Sequence, residues 1–554
     1  MSTSMKGYEY IANVIKGHRI THVFYVEAML RYVNRKLDEL GINGVMAHSE
    51  NAAAYMADGY ARASRKAGLC FCQSIGSANL AGGIHEAWLA NSPVVAFTGK
   101  KPPTSQYTGS YQEADHRLLF EAITKFNADV SDPEQLPLVL RQCFRTAVTG
   151  KPGPTHTDIS NHIGRTVELG DVNQPYFLDT TYNSYPPYRP LAEKEEVNRA
   201  GKEINTSERP IIVAGRGAMI SDAGKELYAM AMKGSIPITT TPDAKAIIDE
   251  TDPLWAGVVG AYGMDCANKA VLDADLVIFI GTQAGDQTTC DWNVPNRTTR
   301  IIQIDIDPTE LGKNYPNTIG LWGDAKKVLS QLTDGVDNMK RPDWRNQVSE
   351  YVQDTLKEYE AYQENDAMPM RPERLCAEIS KALPDNGVLV SDTGFSAIWS
   401  STMLRMKATQ KYYRSAGSLG WSFPASLGVK CAVPSKPTFC LIGDGGFYYH
   451  LNELETAAKY GINTVTIINN NSALAQCASD IRFVYRNDIQ KAEEKYCHGD
   501  INFSEIARQY GAWSVRITNP TKIGSAIKEA LSVGKPAVIE IITDPNANVP
   551  LAFK

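Results

Sequence analysis

The run Thr438-Phe439-Cys440-Leu441-Ile442 is apolar and ends on Gly443-Asp444-Gly445-Gly446. Helical spacing follows from Tyr449 to Tyr460, and a second apolar run, Asn463 to Ile468, ends on Asn469-Asn470-Asn471-Ser472. Strand, helix and strand in that order read as a βαβ unit with parallel strands. Asp444 and Asn471, 27 residues apart, then sit at the carboxyl ends of two strands, the edge where open α/β sheets bind ligands. Glycines at Gly443, Gly445 and Gly446 let the backbone approach a phosphate, and a helix N-terminus favours the anion. An aspartate there repels a bare phosphate unless it holds a divalent cation. A carboxylate from Asp444, the Asn471 amide oxygen and a backbone carbonyl, expected from Ala473, form a suitable oxygen set for Mg²⁺, with room for two phosphates and a water. A ligand-free turn is the competing reading of Gly-Asp-Gly alone; the spacing and strand context argue against it.

Working outward, the same alternation recurs. Strands are expected at Pro93–Thr98, Pro210–Ala214, Leu276–Ile280, Arg300–Ile304, Gly387–Val390 and Ala537–Ile542, with helical patterns such as Ser49–Ser64 between them. Two stretches interrupt it. Asn173 to Pro190 is rich in Pro, Tyr, Asn and Thr, and Thr333 to Arg371 is charged, with a helical middle, and ends on Met-Pro-Met-Arg-Pro. Cutting there predicts three domains, at 1–175, 190–335 and 370–554, each of ordinary size. The first and third both close on Gly-Lys-Pro before a strand (Gly150-Lys151-Pro152 and Gly534-Lys535-Pro536), a hint that they are structural counterparts.

Composition narrows the function classes. With 43% hydrophobic and 21% charged residues, the chain of 554 is an ordinary globular protein and not a disordered one. A net charge of −6 speaks against a nucleic-acid surface. No apolar run reaches membrane-spanning length, and the start lacks the plan of a signal peptide, so a cytoplasmic protein is expected. The ten cysteines are scattered without a Cys-x-x-Cys pair; Cys70 and Cys72 alternate in a strand-like run, and buried inert thiols are expected.

The Gly-Asp-Gly segment with its paired asparagine resembles the metal and diphosphate motif of thiamine diphosphate (ThDP) enzymes. A second segment, His48-Ser49-Glu50-Asn51-Ala52 through Asp58-Gly59-Tyr60-Ala61-Arg62, resembles their glutamate-bearing helix. The resemblance implies that Glu50 shares a proton with the aminopyrimidine ring and so activates the thiazolium. Gln73 to Leu80, with Gly76 and Asn79, resembles the turn beneath the pyrimidine. Tyr111-Gln112-Glu113 and Ile123-Thr124-Lys125 resemble elements of acetohydroxyacid synthases, with Gln112 at the reacting carbonyl. Gly417 to Ala425 resembles the segment whose large residue, here Leu419, wedges the cofactor into its bent form; ordinary core packing is the alternative for Leu419. Gly394 joins the implied cofactor contacts. The implied architecture is α/β, with three doubly wound parallel-sheet domains: pyrimidine-binding, central and diphosphate-binding. The implied chemistry is carbon–carbon bond cleavage and formation on a short 2-keto acid or diketone, through a cofactor ylide and enamine, as an acetolactate synthase-like carboligase or acyl transferase. A homodimer or homotetramer with sites at the subunit interface is expected. A 2-keto acid decarboxylase and a diketone hydrolase remain alternatives. A catalytically silent structural homologue is the reading from another class, opposed by the retention of Glu50, Asp444 and Asn471.

The sequence also departs from the pattern. The synthases' early glycine-rich loop is replaced by Tyr25-Val26-Glu27-Ala28-Met29, and Ser49 precedes Glu50 where histidine is usual. Glu27 is either an acid/base or substrate-steering group, or a surface glutamate. The segment Gly445 to Glu453 has some likeness to the cyclohexane-1,2-dione hydrolase branch. In the central domain the flavin-contacting arginine and aromatic stand as Gln283 and Ala284. A vestigial nucleotide site is therefore expected there, with FAD or ADP as the alternatives. His85, His116, His450 and His498 read as structural.

Overall fold

The computed structural model describes residues 4–160, 166–486 and 488–550. Three six-stranded sheets form its framework, and all pairings within them are parallel. In spatial order the first comprises Asn43–Met46, His22–Tyr25, Gly68–Gln73, Val94–Lys100, Thr155–Ser160 and Phe126–Val130. The third comprises Lys411–Arg414, Val388–Ser391, Thr438–Gly443, Val465–Asn470, Ala537–Ile542 and Trp513–Ile517. Numbered along the chain, both run 2-1-3-4-6-5, so the two domains are counterparts in topology. The central sheet, from Pro210–Ala214 to Thr318–Trp322, runs 3-2-1-4-5-6, the order of dinucleotide-binding folds.

Helices cover both faces of these sheets, which is why strands such as Gly68–Gln73 and Leu276–Ile280 are apolar throughout. Helix Glu50–Ser64, whose Ser49 Oγ accepts from the Ala52 N–H at 3.4 Å, lies across helix Ser422–Ala432 of the third domain. Their backbones touch. A Cβ on Gly59 would stand 2.1 Å from the Ala425 carbonyl oxygen, and one on Gly428 would stand 1.8 Å from that of Met56. Beside this crossing the buried pair Asp58–Arg62 is closed by Trp421, whose indole N–H donates to Asp58 at 2.9 Å while its ring lies 4.3 Å under the guanidinium.

Three of the expected strands have the predicted bounds, and the others shift by one or two residues at an end. The helical middle expected in the charged connector is the 22-residue helix Pro342–Gln363, and it packs instead of merely linking, burying Trp344, Val348, Val352 and Tyr359 at helical spacing. Two of the four tyrosines of the other connector, Tyr182 and Tyr185, are buried, while Tyr176 and Tyr188 are exposed. Eight cysteines are buried as expected, but Cys477 and Cys497 are exposed.

Candidate active site

Strands Thr438–Gly443 and Val465–Asn470 lie side by side, with Gly443 in register with Asn469. Asp444 follows the first and Asn471 the second, so both stand on one sheet edge. Asp444 is buried, and neither carboxylate oxygen has a well-formed hydrogen bond. Burial pushes its carboxyl up to about 7, against a smaller pull from nearby N–H groups that include those of Gly445, Asn471 and Ala473. A buried carboxylate left this way is costly unless a cation answers it. The Asn471 Oδ1 accepts from the Ala473 N–H at 3.2 Å, which leaves it a free lone pair. This hard-oxygen donor set fits Mg²⁺. Gly443, Gly445, Gly446, Gly394, Leu419 and Asn471 line the adjoining cavity of about 420 Å³. A Cβ on Gly445 would fall 2.5 Å from the Leu474 side chain, so glycine keeps that wall open. Gly394 has φ +70°, the left-handed region that glycine tolerates.

Leu419 is half-buried and faces this cavity, not the core. Two carboxylates hold its loop. Glu86, from helix Ser77–Leu89 of the first domain, accepts from the N–H groups of Ala416, Gly417 and Ser418 at 2.5, 3.2 and 3.0 Å. Asp392 accepts from Gly420 and Ser422 at 2.9 and 2.8 Å. Both acids are buried. Sequence reasoning singled out neither, although a glutamate inside Ile84-His85-Glu86-Ala87 was a signal that something must pair with it.

The first domain contributes a separate edge. Glu50, the first residue of its helix, is half-exposed and accepts from the Asn79 side chain at 3.0 Å. Its carboxylate lies over Gly76, where a Cβ would come within 2.4 Å of Oε1. Its place at the start of an otherwise buried, Ala-rich helix leaves Glu50 accessible. The loop before it is clasped by the third domain: His48 N–H donates to Glu453 at 2.9 Å, and the His48 ring meets Glu455 at 2.8 Å. Gln112 has φ +60° and accepts from the Gln73 side-chain amide. Its carbonyl accepts from Ser74 Oγ at 2.5 Å, and Ser74 meets buried His116, itself paired with Asp158 at 2.8 Å. Glu27 is exposed and forms a two-pronged pair with Arg31, at 2.5 and 3.0 Å, which holds its carboxyl below the usual range. None of Glu50, Gln112 and Glu27 lines the cavity that holds Asp444. Within one chain the two groups of residues are therefore apart.

A further cavity of about 490 Å³ opens at the carboxyl edge of the central sheet and adjoins the first, since Gln287, Arg414 and Ala416 line both. Gly215 and Gly217 pack on Gly281, and buried Asp305, pushed up to about 6 by desolvation, closes a strand beside them. Ala284 is buried and Gln283 is tied to Glu310 at 3.2 Å. Among the described residues no aromatic side chain lines this cavity.

Three family descriptions match the chain in order: thiamine pyrophosphate enzyme, N-terminal TPP binding domain, over residues 5–119; central domain, over 197–332; and C-terminal TPP binding domain, over 392–541. A probable acetolactate synthase large subunit of Methanocaldococcus jannaschii is 32% identical over 563 residues, spanning 99% of this chain and 93% of that protein. One from Methanococcus aeolicus is 30% identical over 98% of this chain and 93% of its own. The acetolactate synthase isozyme 1 large subunit of Escherichia coli is 27% identical, over 92% and 88%. The fold, the glycine-lined edge with its unanswered aspartate, and these full-length similarities agree, and the chain belongs to the thiamine diphosphate-dependent enzymes of the acetohydroxyacid synthase-like superfamily.

Proposed function

We propose that the protein is a Mg²⁺- and ThDP-dependent carboligase that takes pyruvate or a related short 2-keto acid, or a small diketone, as donor. The observation that carries the reading is Asp444, a buried carboxylate without a partner at a glycine-lined strand edge. Asp444, Asn471 and the Ala473 carbonyl would hold Mg²⁺, and Gly443, Gly445 and Gly446 would accommodate the diphosphate. When bound, the cofactor supplies a carbon acid that, once deprotonated, adds to a carbonyl and stabilises the charge left by carbon–carbon cleavage. Glu50, fixed by Asn79 over Gly76, holds the proton that this activation needs. Leu419 keeps the reacting groups close, a proximity effect. Gln112, oriented by Gln73 and Ser74, hydrogen-bonds the reacting carbonyl. Asp305 and the central cavity would take at most a nucleotide without a flavin.

The half-site carrying Glu50 and Asn79 is open in the single chain, and Ile75, Tyr107, Tyr111 and Leu118 of the same domain are exposed apolar residues. We infer that a second copy covers this face and brings its Asp444 cavity to Glu50, making a homodimer the smallest active unit and a homotetramer the assembly built from it. The boundaries 1–175, 190–335 and 370–554 are proposed for the domains, and the cytoplasm for the location.

The acceptor is set by the segment around Glu27. Held by Arg31, its carboxylate would accept from a hydroxyl of a polyol or of a hydroxylated aldehyde or ketone, while the pairing removes most of the repulsion that a lone glutamate exerts on a second keto acid. An exposed pair of this kind is worth about 1 kcal/mol, hence a preference of about 5- to 10-fold for the neutral acceptor. Competition between pyruvate and a neutral aldehyde, in wild type and in Glu27→Gly, tests this. A shift toward acetolactate in the variant supports the role. Efficient acetolactate formation in both, with the same preference, makes Glu27 a bystander and the protein an ordinary acetolactate synthase.

A further inference from the structure

A third cavity, of about 510 Å³, lies where the three domains meet; it shares Arg216, Asp243 and Arg414 with the central cavity, and only Arg414 with the Asp444 cavity. Seven arginines and lysines line it against two aspartates, Asp222 and Asp243. Four of these charges are accounted for. Arg62 is answered by Asp58 and Glu86, Arg189 by Asp324, and Arg414 by Asp243, while Asp222 is drawn to Lys326. Arg216 has only a share in Asp243, at 3.9 Å. Arg65 donates to the carbonyls of Met219, Tyr185 and Ile220 and meets no carboxylate. Lys411 and Lys436 form no ion pair within 4 Å among the described residues. Burial, then the Lys436 charge, and more weakly Arg65, hold the Lys411 ammonium below its ordinary range, with Asp222 opposing. Arg216 is lowered likewise, by burial and then by Arg62.

Concentrating unpaired like charges in a partly closed interdomain space is unfavourable without a counter-ion. The four cations come from all three domains: Arg65 from the first, Arg216 from the central, Lys411 and Lys436 from the third. Guanidinium forks and ammonium points together suit phosphate oxygens. The volume falls in the range of small-molecule sites.

We propose that this three-domain cavity binds a small polyanion carrying two or more phosphate groups, held by Arg65, Arg216, Lys411 and Lys436. Its occupancy ties the three domains together. The inference stands apart from the carboligase reading, because none of these four residues belongs to the proposed catalytic machinery.

The test is calorimetric titration of the full chain with inorganic tripolyphosphate at constant ionic strength, in EDTA so that the diphosphate edge lacks its cation. The wild type should bind one equivalent per chain. Lys411→Gln/Lys436→Gln should bind at least about 10-fold more weakly while keeping wild-type affinity for ThDP with Mg²⁺. Should the double variant fold poorly, the more peripheral Lys436→Gln alone serves, with a loss of a few-fold. A parallel titration with a nucleoside triphosphate separates the sources: tighter binding that also depends on the two lysines assigns a nucleotide, and equal binding assigns the phosphate chain alone. No binding by the wild type, or equal binding by wild type and variant, overturns the proposal.

Discussion

Replacing Glu86 by glutamine isolates the loop that carries Leu419. The carboxylate accepts three consecutive backbone N–H groups, at 2.5, 3.2 and 3.0 Å, in a fully buried setting. Hydrogen bonds to a charged group contribute about 1.5–3 kcal/mol each. Glutamine can keep its carbonyl oxygen on Gly417 and Ser418 but turns an NH₂ toward the Ala416 N–H, so one bond is lost and the other two lose their charge assistance. It also leaves Arg62 with Asp58 as its remaining close acid. Against this stands the relief of burying one charge fewer, and a net cost of about 3 kcal/mol is a fair balance. If the loop must be ordered to seat the cofactor, that cost appears in binding, as ThDP affinity or kcat/KM lower by about 10²-fold. Titration of Mg²⁺ and ThDP by tryptophan fluorescence, with turnover measured on the same samples, reads both quantities. Near-ultraviolet circular dichroism checks that the fold persists. Affinity and turnover within about threefold of wild type, with an unchanged spectrum, would refute the idea that Glu86 orders this loop.

Other expectations follow from the same geometry. Glu50→Gln should retain cofactor yet lose turnover by about 10²-fold or more, and exchange of the bound thiazolium C2 proton with D₂O should slow alongside it; exchange at the wild-type rate contradicts the role. Leu419→Ala should lower turnover by about 10-fold while ThDP affinity changes by only a few-fold, and equal turnover would return Leu419 to plain packing. Asp444, at about 7 in the folded metal-free chain and about 4 when unfolded, binds its proton more tightly folded. The metal-free protein should therefore keep this contribution below about pH 4 and lose up to about 4 kcal/mol as pH rises to about 7. Melting of wild type against Asp444→Asn in EDTA from pH 5 to 8 measures it, and a difference independent of pH contradicts it.

The alternation of apolar runs and helices made the parallel sheets legible, and the 27-residue spacing placed Asp444 and Asn471 on one edge before any coordinates. Short strands were harder. His22–Tyr25 and Lys411–Arg414 have four residues each and carry polar or charged side chains, so their pairing is a tertiary effect. The helical middle of the charged stretch was legible, though not that one apolar stripe docks helix Pro342–Gln363 along its length. Site residues that act by direct chemistry stood out by motif. Those that act through the backbone did not: Glu86 and Asp392 reach the Leu419 loop from positions 330 and 28 residues from Ala416 and Gly420 in sequence. Glu27 was readable as a charge but not as a pair, since Arg31 approaches it only because the intervening chain turns at Leu30, with φ +53°.

The most direct measurement follows carbon. The protein loaded with Mg²⁺ and ThDP is given ¹³C-labelled pyruvate with a neutral aldehyde present, and products are followed by NMR and mass spectrometry. The account predicts one CO₂ released for each new carbon–carbon bond, with a 2-hydroxyketone carrying the label and none formed when Mg²⁺ is withheld. Label recovered only in free acetaldehyde, or pyruvate left intact by cofactor-loaded protein, would contradict it.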